Sequence, residues 1–305
     1  MTPAEAPASA KLREIAIENF RGIRKLELSF VGLNDQPSDI VVIGGPNGCG
    51  KTAVLEACLI AAGCSKLTRG ALGQHAIRWG ASDYRIHAVF QAGEEQWEAT
   101  RTSSNGEPKR TVECGYFSSW RAPRLVGAVA VTAGRKGNRP QVTEENRLWL
   151  IKQHLVNAKA HLAMSSRPLL AGGPFDQAID RVNEIWRMFH PGAKESFSVE
   201  PVGDDPDEGF DVFLNRADGA RVALDALSSG QLEVFMLAGS AISTRRRESM
   251  LCLDEPELHL DPQWHRLILR ATSKLRPGCQ LVIGTHSPEI YDSVMSYQRH
   301  FLVND

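Results

Sequence analysis

No stretch of this chain reaches the roughly 18 apolar residues of a membrane span. Its opening residues, MTPAEAPASAK, lack the apolar core of a secretion signal. A chain without either is expected in the cytoplasm with no membrane partner, and residues 1–11 are expected to form a disordered tail. Net charge is also missing: 35 basic residues against 36 acidic ones give −1, so no global field draws the protein to nucleic acid, and any such binding needs a local patch. The six cysteines (Cys49, Cys58, Cys64, Cys114, Cys252, Cys279) include no CxxC pair and no His/Cys group at zinc spacing. They read as free thiols of a reducing compartment. Repeats, low-complexity tracts and long heptad seams are absent too, which excludes solenoids and extended coiled coils.

What remains is an ordinary globular composition, 42% hydrophobic and 23% charged, ample for a layered core. Leu12–Phe20 and Leu26–Phe30 alternate apolar and polar residues around Arg21-Gly22, which predicts a hairpin or a pair of strands. Ile40–Ile43 is a continuous β-branched run, as in a strand buried on both faces. It leads into GPNGCGKT (Gly45–Thr52) and then an apolar, helix-compatible segment, Thr52–Ala62. Ile86–Phe90, Trp97–Thr102, Leu125–Val131, Phe197–Val202, Phe210–Leu214, Met250–Leu253 and Leu281–Ile283 are further strand candidates. Two helices are predicted, one from an N-cap at Thr143 to Met164 and one over Phe175–Phe189, with a Ser/Pro/Gly linker between them. LSSGQ (Leu227–Gln231) opens another helix.

Strand, glycine loop, helix is the context in which GxxxxGK[ST] holds phosphate. Gly45, Gly48 and Gly50 let backbone N–H groups of the loop, Asn47 and Cys49 included, turn toward phosphate oxygens. Lys51 adds a charge at the β/γ-phosphates, the Thr52 hydroxyl suits Mg²⁺, and the helix points its positive end at the anion. Asp254 and Glu255 close an apolar strand, which places one carboxylate for Mg²⁺ and a second as general base for water. The helix start at LSSGQ offers N–H groups and the Ser229 hydroxyl to an anion, though a plain N-cap at Ser228 or Ser229 produces the same letters. His286, within THS after a buried strand, fits a γ-phosphate contact.

Together with IENFRGI (Ile17–Ile23), LDEPELHLDP (Leu253–Pro262) and THSPEI (Thr285–Ile290), these motifs resemble ABC-class ATPases of the RecF/SMC/OLD (overcoming-lysogenization-defect) branch. ELHLDP and THSP are typical of small OLD-like ATPases in bacterial DNA-maintenance and antiphage systems. The resemblance implies an α/β P-loop NTPase of ABC-head architecture: a mixed sheet core, an N-terminal antiparallel part and a helical insertion lobe. It implies one such domain over residues 12–305, with an N-terminal lobe at 12–140, a helical insertion at 141–195 and a C-terminal lobe at 196–305. It also implies a head-to-tail homodimer sandwiching two ATP molecules with Mg²⁺, in which Ser229, Gly230 and Gln231 act on the partner's nucleotide and Asp261 lies near the seam. Arg21 is expected beside the nucleotide or in a structural role. Gln91, or alternatively Gln141, is the candidate Q-loop ligand to the metal.

The function so implied is an ATP-hydrolysing switch that regulates a DNA-acting or toxic partner in antiphage defence or DNA repair. A nucleotide-binding subunit of an ABC transporter is the alternative. No nuclease pattern follows His286, so a separate effector, a nuclease or toxin, is expected. DNA contact has one local candidate: seven basic residues and one acid between Lys109 and Arg139, interleaved with Tyr116, Phe117 and Trp120. A solvated face has the same composition. Arg245-Arg246-Arg247 reads as a charged loop.

Overall fold

The computed structural model describes residues 4–5, 10–68, 74–105, 108–119, 124–132, 145–164, 174–204, 208–243 and 248–303. The chain divides into two compact units, Met1–Ser119 with Arg246–Leu258 and Arg276–Asp305, and Trp120–Arg245 with His259–Leu275. Thr143, Gln141, Arg245–Arg247 and much of the basic stretch, including Arg121, Arg135, Lys136 and Arg139, lie outside the described residues.

The first unit begins with a two-residue strand, β1 (Ala4–Glu5), which pairs in parallel with β7 (Arg110–Thr111) inside the expected tail. An antiparallel sheet follows, built from β2 (Lys11–Phe20), β3 (Ile23–Ser29), β5 (Arg85–Ala92) and β6 (Glu95–Thr102) in the order β3-β2-β5-β6. The predicted hairpin turns at Arg21, which takes the left-handed conformation at φ 51°. A five-stranded parallel sheet runs β14-β4-β13-β12-β8, from β4 (Ile40–Gly44), β8 (Cys114–Phe117), β12 (Met250–Asp254), β13 (Gln280–Thr285) and β14 (Arg299–Phe301). Strands β12 and β13 are buried along their whole length, so they read as unbroken apolar runs and not as alternations.

Helix α1 (Lys51–Ala61) is buried on nearly every side, as an all-round apolar helix must be. It packs on β12 and β13 of one sheet and on β2, β5 and β6 of the other. Val54, Leu55, Cys58 and Leu59 join Ile15, Ile17, Phe90, Val41 and Cys252 in a single core. The short helix α6 (Pro288–Tyr291) follows β13, capped by the Ser287 hydroxyl.

The second unit holds the antiparallel sheet β11-β10-β9, of β9 (Ser196–Pro201), β10 (Phe210–Asn215) and β11 (Arg221–Ala223). With it lie α2 (Arg147–Met164), α3 (Pro174–Phe189), α4 (Ser229–Ser243) and α5 (His265–Leu275). The two helices expected as an insertion over 141–195 therefore share a unit with the strands and the signature helix that follow them. Trp186 anchors this core, fully buried, with its ring edge-on to Phe197 at 5.0 Å.

The strand expected over Leu125–Val131 is not formed. Val129 makes an isolated bridge with Phe210, Gly127 has φ 62°, and the N–H groups of Val126 and Gly127 donate to the Asp225 carboxylate. Backbone donors engaged by a side chain have none left for a ladder.

Candidate functional site

Three strands of the parallel sheet end level. Asp254 of β12 pairs with Gly284 of β13, Gly284 with Ile43 of β4, and Thr285 with Gly44. Their following loops therefore emerge along one edge, the carboxyl edge where ligands gather in open α/β sheets. From β4 comes Gly45–Thr52, from β12 Asp254-Glu255, and from β13 Thr285-His286. Because β12 and β13 are far apart in sequence from β4, only the sheet brings these groups together.

The glycine loop turns through Gly45, Gly48 and Gly50, all at positive φ. Gly50 at φ 99° caps α1 without any side-chain bond, and its left-handed backbone is what a residue with Cβ resists. Asn47 and Cys49 lie in the same loop, Cys49 partly buried. Lys51 is 5% exposed, and its ammonium donates to the carbonyls of Gly45 (2.9 Å) and Pro46 (3.0 Å), so its charge is folded back into the loop.

Thr52 Oγ1 donates to Asp254 at 2.9 Å to Oδ2 and 3.1 Å to Oδ1. Asp254 is fully buried. A second hydroxyl, Ser119 Oγ, reaches Oδ2 at 2.8 Å. Ser119 lies just past β8, the strand that pairs with β12, and no sequence spacing marked it. The donor set of two hydroxyls and a carboxylate is all oxygen, the chemistry a hard cation such as Mg²⁺ prefers. A Cβ at Gly284 would sit 3.3 Å from Asp254 Oδ1 and 3.2 Å from Leu55, tight against both. Nearby, burial raises the pKa of the Tyr116 phenol, and the charges of Asp254 and Glu56 raise it further.

Glu255 takes a left-handed conformation, φ 46°, with its N–H on the Gly284 carbonyl at 2.7 Å. A non-glycine residue there stores roughly 1–3 kcal/mol of strain, a feature concentrated at functional sites. Its carboxylate Oε1 stands 3.6 Å from His286 Nδ1. His286 is half-exposed, and Nδ1 is also 3.3 Å from Glu257 Oε1. A cavity of about 570 Å³ opens beside it, lined by Gly45, Pro46, His286, Tyr291, Phe301 and Val303 among others.

Two expected ligands are not brought to this edge. Gln91 lies on β5 opposite Lys11, nine residues down β2 from Phe20, or about 30 Å at strand spacing. Its amide is engaged there, accepting from Arg13 (2.7 Å) and donating to Gln36 (3.0 Å) and the Gly93 carbonyl (2.7 Å). Gln280 at the opposite end of β13 from Thr285 bonds to neighbouring Leu12, so Gln91 belongs to the far end of the unit and is not a metal ligand. Arg21 ion-pairs with Glu56, a carboxylate of α1 whose side chain is 1% exposed, which gives the guanidinium a structural role.

In the second unit the signature starts α4 with a reciprocal cap. Gln231 N–H donates to Ser228 Oγ (3.4 Å), and Ser228 N–H donates to Gln231 Oε1 (3.1 Å). This capping box leaves Ser229 at the first turn and exposed. Gly230 meets the chain after β12 closely: a Cβ would fall 2.7 Å from the His259 carbonyl oxygen. Asp261 caps the turn at Pro262–Trp264 through the Gln263 N–H.

Known proteins share both sequence and fold with this chain. A family model described as "AAA domain, putative AbiEii toxin, Type IV TA system" matches residues 156–292, and a second, "AAA domain", matches 14–146. The DNA double-strand break repair Rad50 ATPase of Methanosarcina acetivorans is 34% identical over 112 residues, 35% of this chain and 10% of Rad50. The Septu protein PtuA of Bacillus mycoides is 20% identical over 295 residues, 91% of this chain and 38% of PtuA. The matches thus span about a tenth of the length of the Rad50 relative and well under half of PtuA. Among solved structures, an SMC head bound to the C-terminal winged-helix domain of ScpA superposes with a TM-score of 0.57 at 14% identity, covering 96% of each chain. The SMC head of Thermotoga maritima does so at 0.51, also at 14% identity, covering 95% and 94%. Among the described residues no helix is long and apolar enough to cross a membrane. The two AAA-domain models and the Rad50 and PtuA relatives, on a chain with the fold of an SMC head, support an ABC/SMC-like ATPase of the RecF/SMC/OLD branch.

Proposed function

We propose that the chain binds ATP with Mg²⁺ on the Gly45–Thr52 loop, hydrolyses it, and uses the cycle to open and close a homodimer that governs a partner. The observation that carries this reading is the convergence of Lys51, Thr52, Asp254, Glu255 and His286 at one edge of a sheet whose strands end level. Thr52, Ser119 and Asp254 supply oxygen ligands for Mg²⁺, which when bound neutralises phosphate charge. Lys51 and the loop N–H groups hold the β- and γ-phosphates. Glu255 accepts a proton from water as its oxygen bonds to the γ-phosphorus; the bond to the bridging oxygen breaks, releasing ADP and phosphate. His286 contacts the γ-phosphate through its exposed edge.

Ser228 and Ser229 of the signature are exposed at the helix N-terminus, and the capping box there engages Ser228 and Gln231. Ser229 and Gly230 are assigned to the γ-phosphate held by the other protomer. The biological role follows the relatives: Rad50 is named for double-strand break repair, and PtuA and the AbiEii-type model belong to Septu and toxin–antitoxin systems. A DNA-repair or antiphage switch with a separate nuclease or toxin is the role assigned here, in the cytoplasm.

Phosphate release by the purified chain, with Glu255→Gln as the blank and with or without linear duplex DNA, tests the assignment. Removal of a general base lowers turnover by about 10²–10⁴. Equal rates in the two proteins would overturn the hydrolytic reading. Stimulation by DNA would assign the input to DNA, and indifference would assign it to a protein partner.

A further inference from the structure

His286 is held by a carboxylate that the hydrolytic scheme leaves unused. Glu257 follows β12 on the turn after Glu255, and its side chain is 3% exposed. One of its oxygens, Oε1, accepts from the Thr285 hydroxyl at 2.6 Å, from the His286 N–H at 2.9 Å and from the Ser287 N–H at 3.2 Å. The same atom lies 3.3 Å from His286 Nδ1. The other oxygen, Oε2, is buried and accepts no hydrogen bond from the described residues. A bare buried carboxylate oxygen is costly to keep. An amide carbonyl would accept the same backbone and hydroxyl bonds, so a carboxylate at this position calls for an explanation beyond those bonds.

The second contact of Nδ1 supplies that explanation. Glu255 Oε1 competes for the ring from 3.6 Å. A ring drawn to Glu255 would occupy the carboxylate that has to accept the water proton. A ring held by Glu257 leaves Glu255 available, and the ring stays half-exposed.

We propose that Glu257 is the positioning residue for His286: its buried Oε1 fixes the Thr285–Ser287 segment and holds the Nδ1 edge of the ring, keeping the ring off the general base. This rests on the ATPase reading above and adds a residue to it. It also explains why a short turn between β12 and its following helix carries two glutamates on either side of Pro256. Glu255 faces the reacting water, and Glu257 faces the histidine.

The test is a double-mutant cycle between Glu257→Gln and His286→Ala, read in steady-state ATP turnover, with thermal melting as the folding control. Misplacing a group by about 1 Å costs on the order of 10²-fold in rate, so Glu257→Gln is expected to lower kcat about 10- to 100-fold with KM within about twofold. In the His286→Ala background the same change should do almost nothing, because residues acting as one unit are not additive. Additive losses, or an unchanged kcat, would overturn the proposal. Should the wild type show no turnover above Glu255→Gln, the hydrolytic reading falls, and Glu257 is then judged by long-range proton–nitrogen spectra of the His286 ring, assigned with His286→Gln. Moved Nδ1 and Nε2 signals in Glu257→Gln sustain the positioning contact, and unmoved signals refute it.

Discussion

Ser119 Oγ and Thr52 Oγ1 donate to the same oxygen of Asp254, at 2.8 and 2.9 Å. Thr52 arrives from the glycine loop and Ser119 from the neighbouring strand β8, so the carboxylate is approached from two elements. A hydrogen bond to a charged group contributes about 1.5–3 kcal/mol. Ser119→Ala is therefore expected to raise the Mg²⁺ concentration for half-maximal turnover by about tenfold or more, while ATP affinity at saturating Mg²⁺ changes little. A Mg²⁺ titration of phosphate release reads this directly, and a curve superimposable on the wild type would remove Ser119 from the metal site.

The dimer reading makes a prediction about mass. Glu255→Gln, which binds ATP without hydrolysing it, should sediment as a dimer with ATP and Mg²⁺ and as a monomer without them. Lys51→Ala loses the ammonium that rests on the Gly45 and Pro46 carbonyls of the loop, so it should bind nucleotide poorly and stay monomeric throughout. Sedimentation velocity separates the two states. If Glu255→Gln remains monomeric at saturating ATP, the sandwich is wrong even where hydrolysis is real.

How much of this was legible in the sequence depended on whether a residue's chemistry is local. The glycine loop, β4, β12 and β13 were readable because continuous apolar runs followed by a motif leave few alternatives. Strand β8 was hidden by its brevity and by Gly115, where a Cβ would come within 2.7 Å of both Glu248 and Leu251. A glycine kept for close packing looks like a strand breaker on paper. Leu125–Val131 erred the other way, because an apolar run does not reveal that Asp225 has captured its N–H groups. Gln91 falls one residue beyond the strand read over Ile86–Phe90, and the ligand expectation for it fails because one sequence does not say at which end of a sheet a residue lies. Ser119 and Glu257 carry no spacing rule. They became visible only when β8 and the turn after β12 were set beside Asp254 and His286.

The second unit contains a buried charge cluster whose removal should be felt in stability. Lys152 is fully buried, 2.7 Å from Asp211 and 3.0 Å from Asp225, and donates to the Gly127 carbonyl at 2.8 Å. Removing one partner of such a cluster leaves uncompensated buried charge and costs about 3–5 kcal/mol. At about 2–4 °C per kcal/mol for larger domains, Lys152→Met should lower Tm by roughly 6–20 °C. Lys274→Met is the control, because the Lys274–Glu184 pair is half-exposed on both sides and such pairs contribute about 0–1 kcal/mol. Equal Tm losses in the two variants would show that the cluster holds nothing the surface pair does not.

His190 gives the acid side of the stability profile. Its ring stacks on Trp186 at 3.9 Å and meets Trp264 edge-on at 4.8 Å. Burial lowers its pKa below the ordinary 6.5, against smaller raising effects from the Trp186 carbonyl and Glu195. The folded protein therefore holds fewer protons at this ring than the unfolded chain does between the folded pKa and about 6.5. Its contribution is whole at neutral pH and is lost as pH falls from about 6.5 through the folded value. Burial lowers the pKa of His300 as well, so that ring adds to the loss with the same sign. His190→Phe keeps an aromatic ring on Trp186 and cannot take up a proton. It should therefore flatten part of the fall in Tm between pH 7.5 and 5.5. Melting curves across that range decide the matter, and a slope unchanged from the wild type would mean that His190 does not report the buried environment the structure gives it.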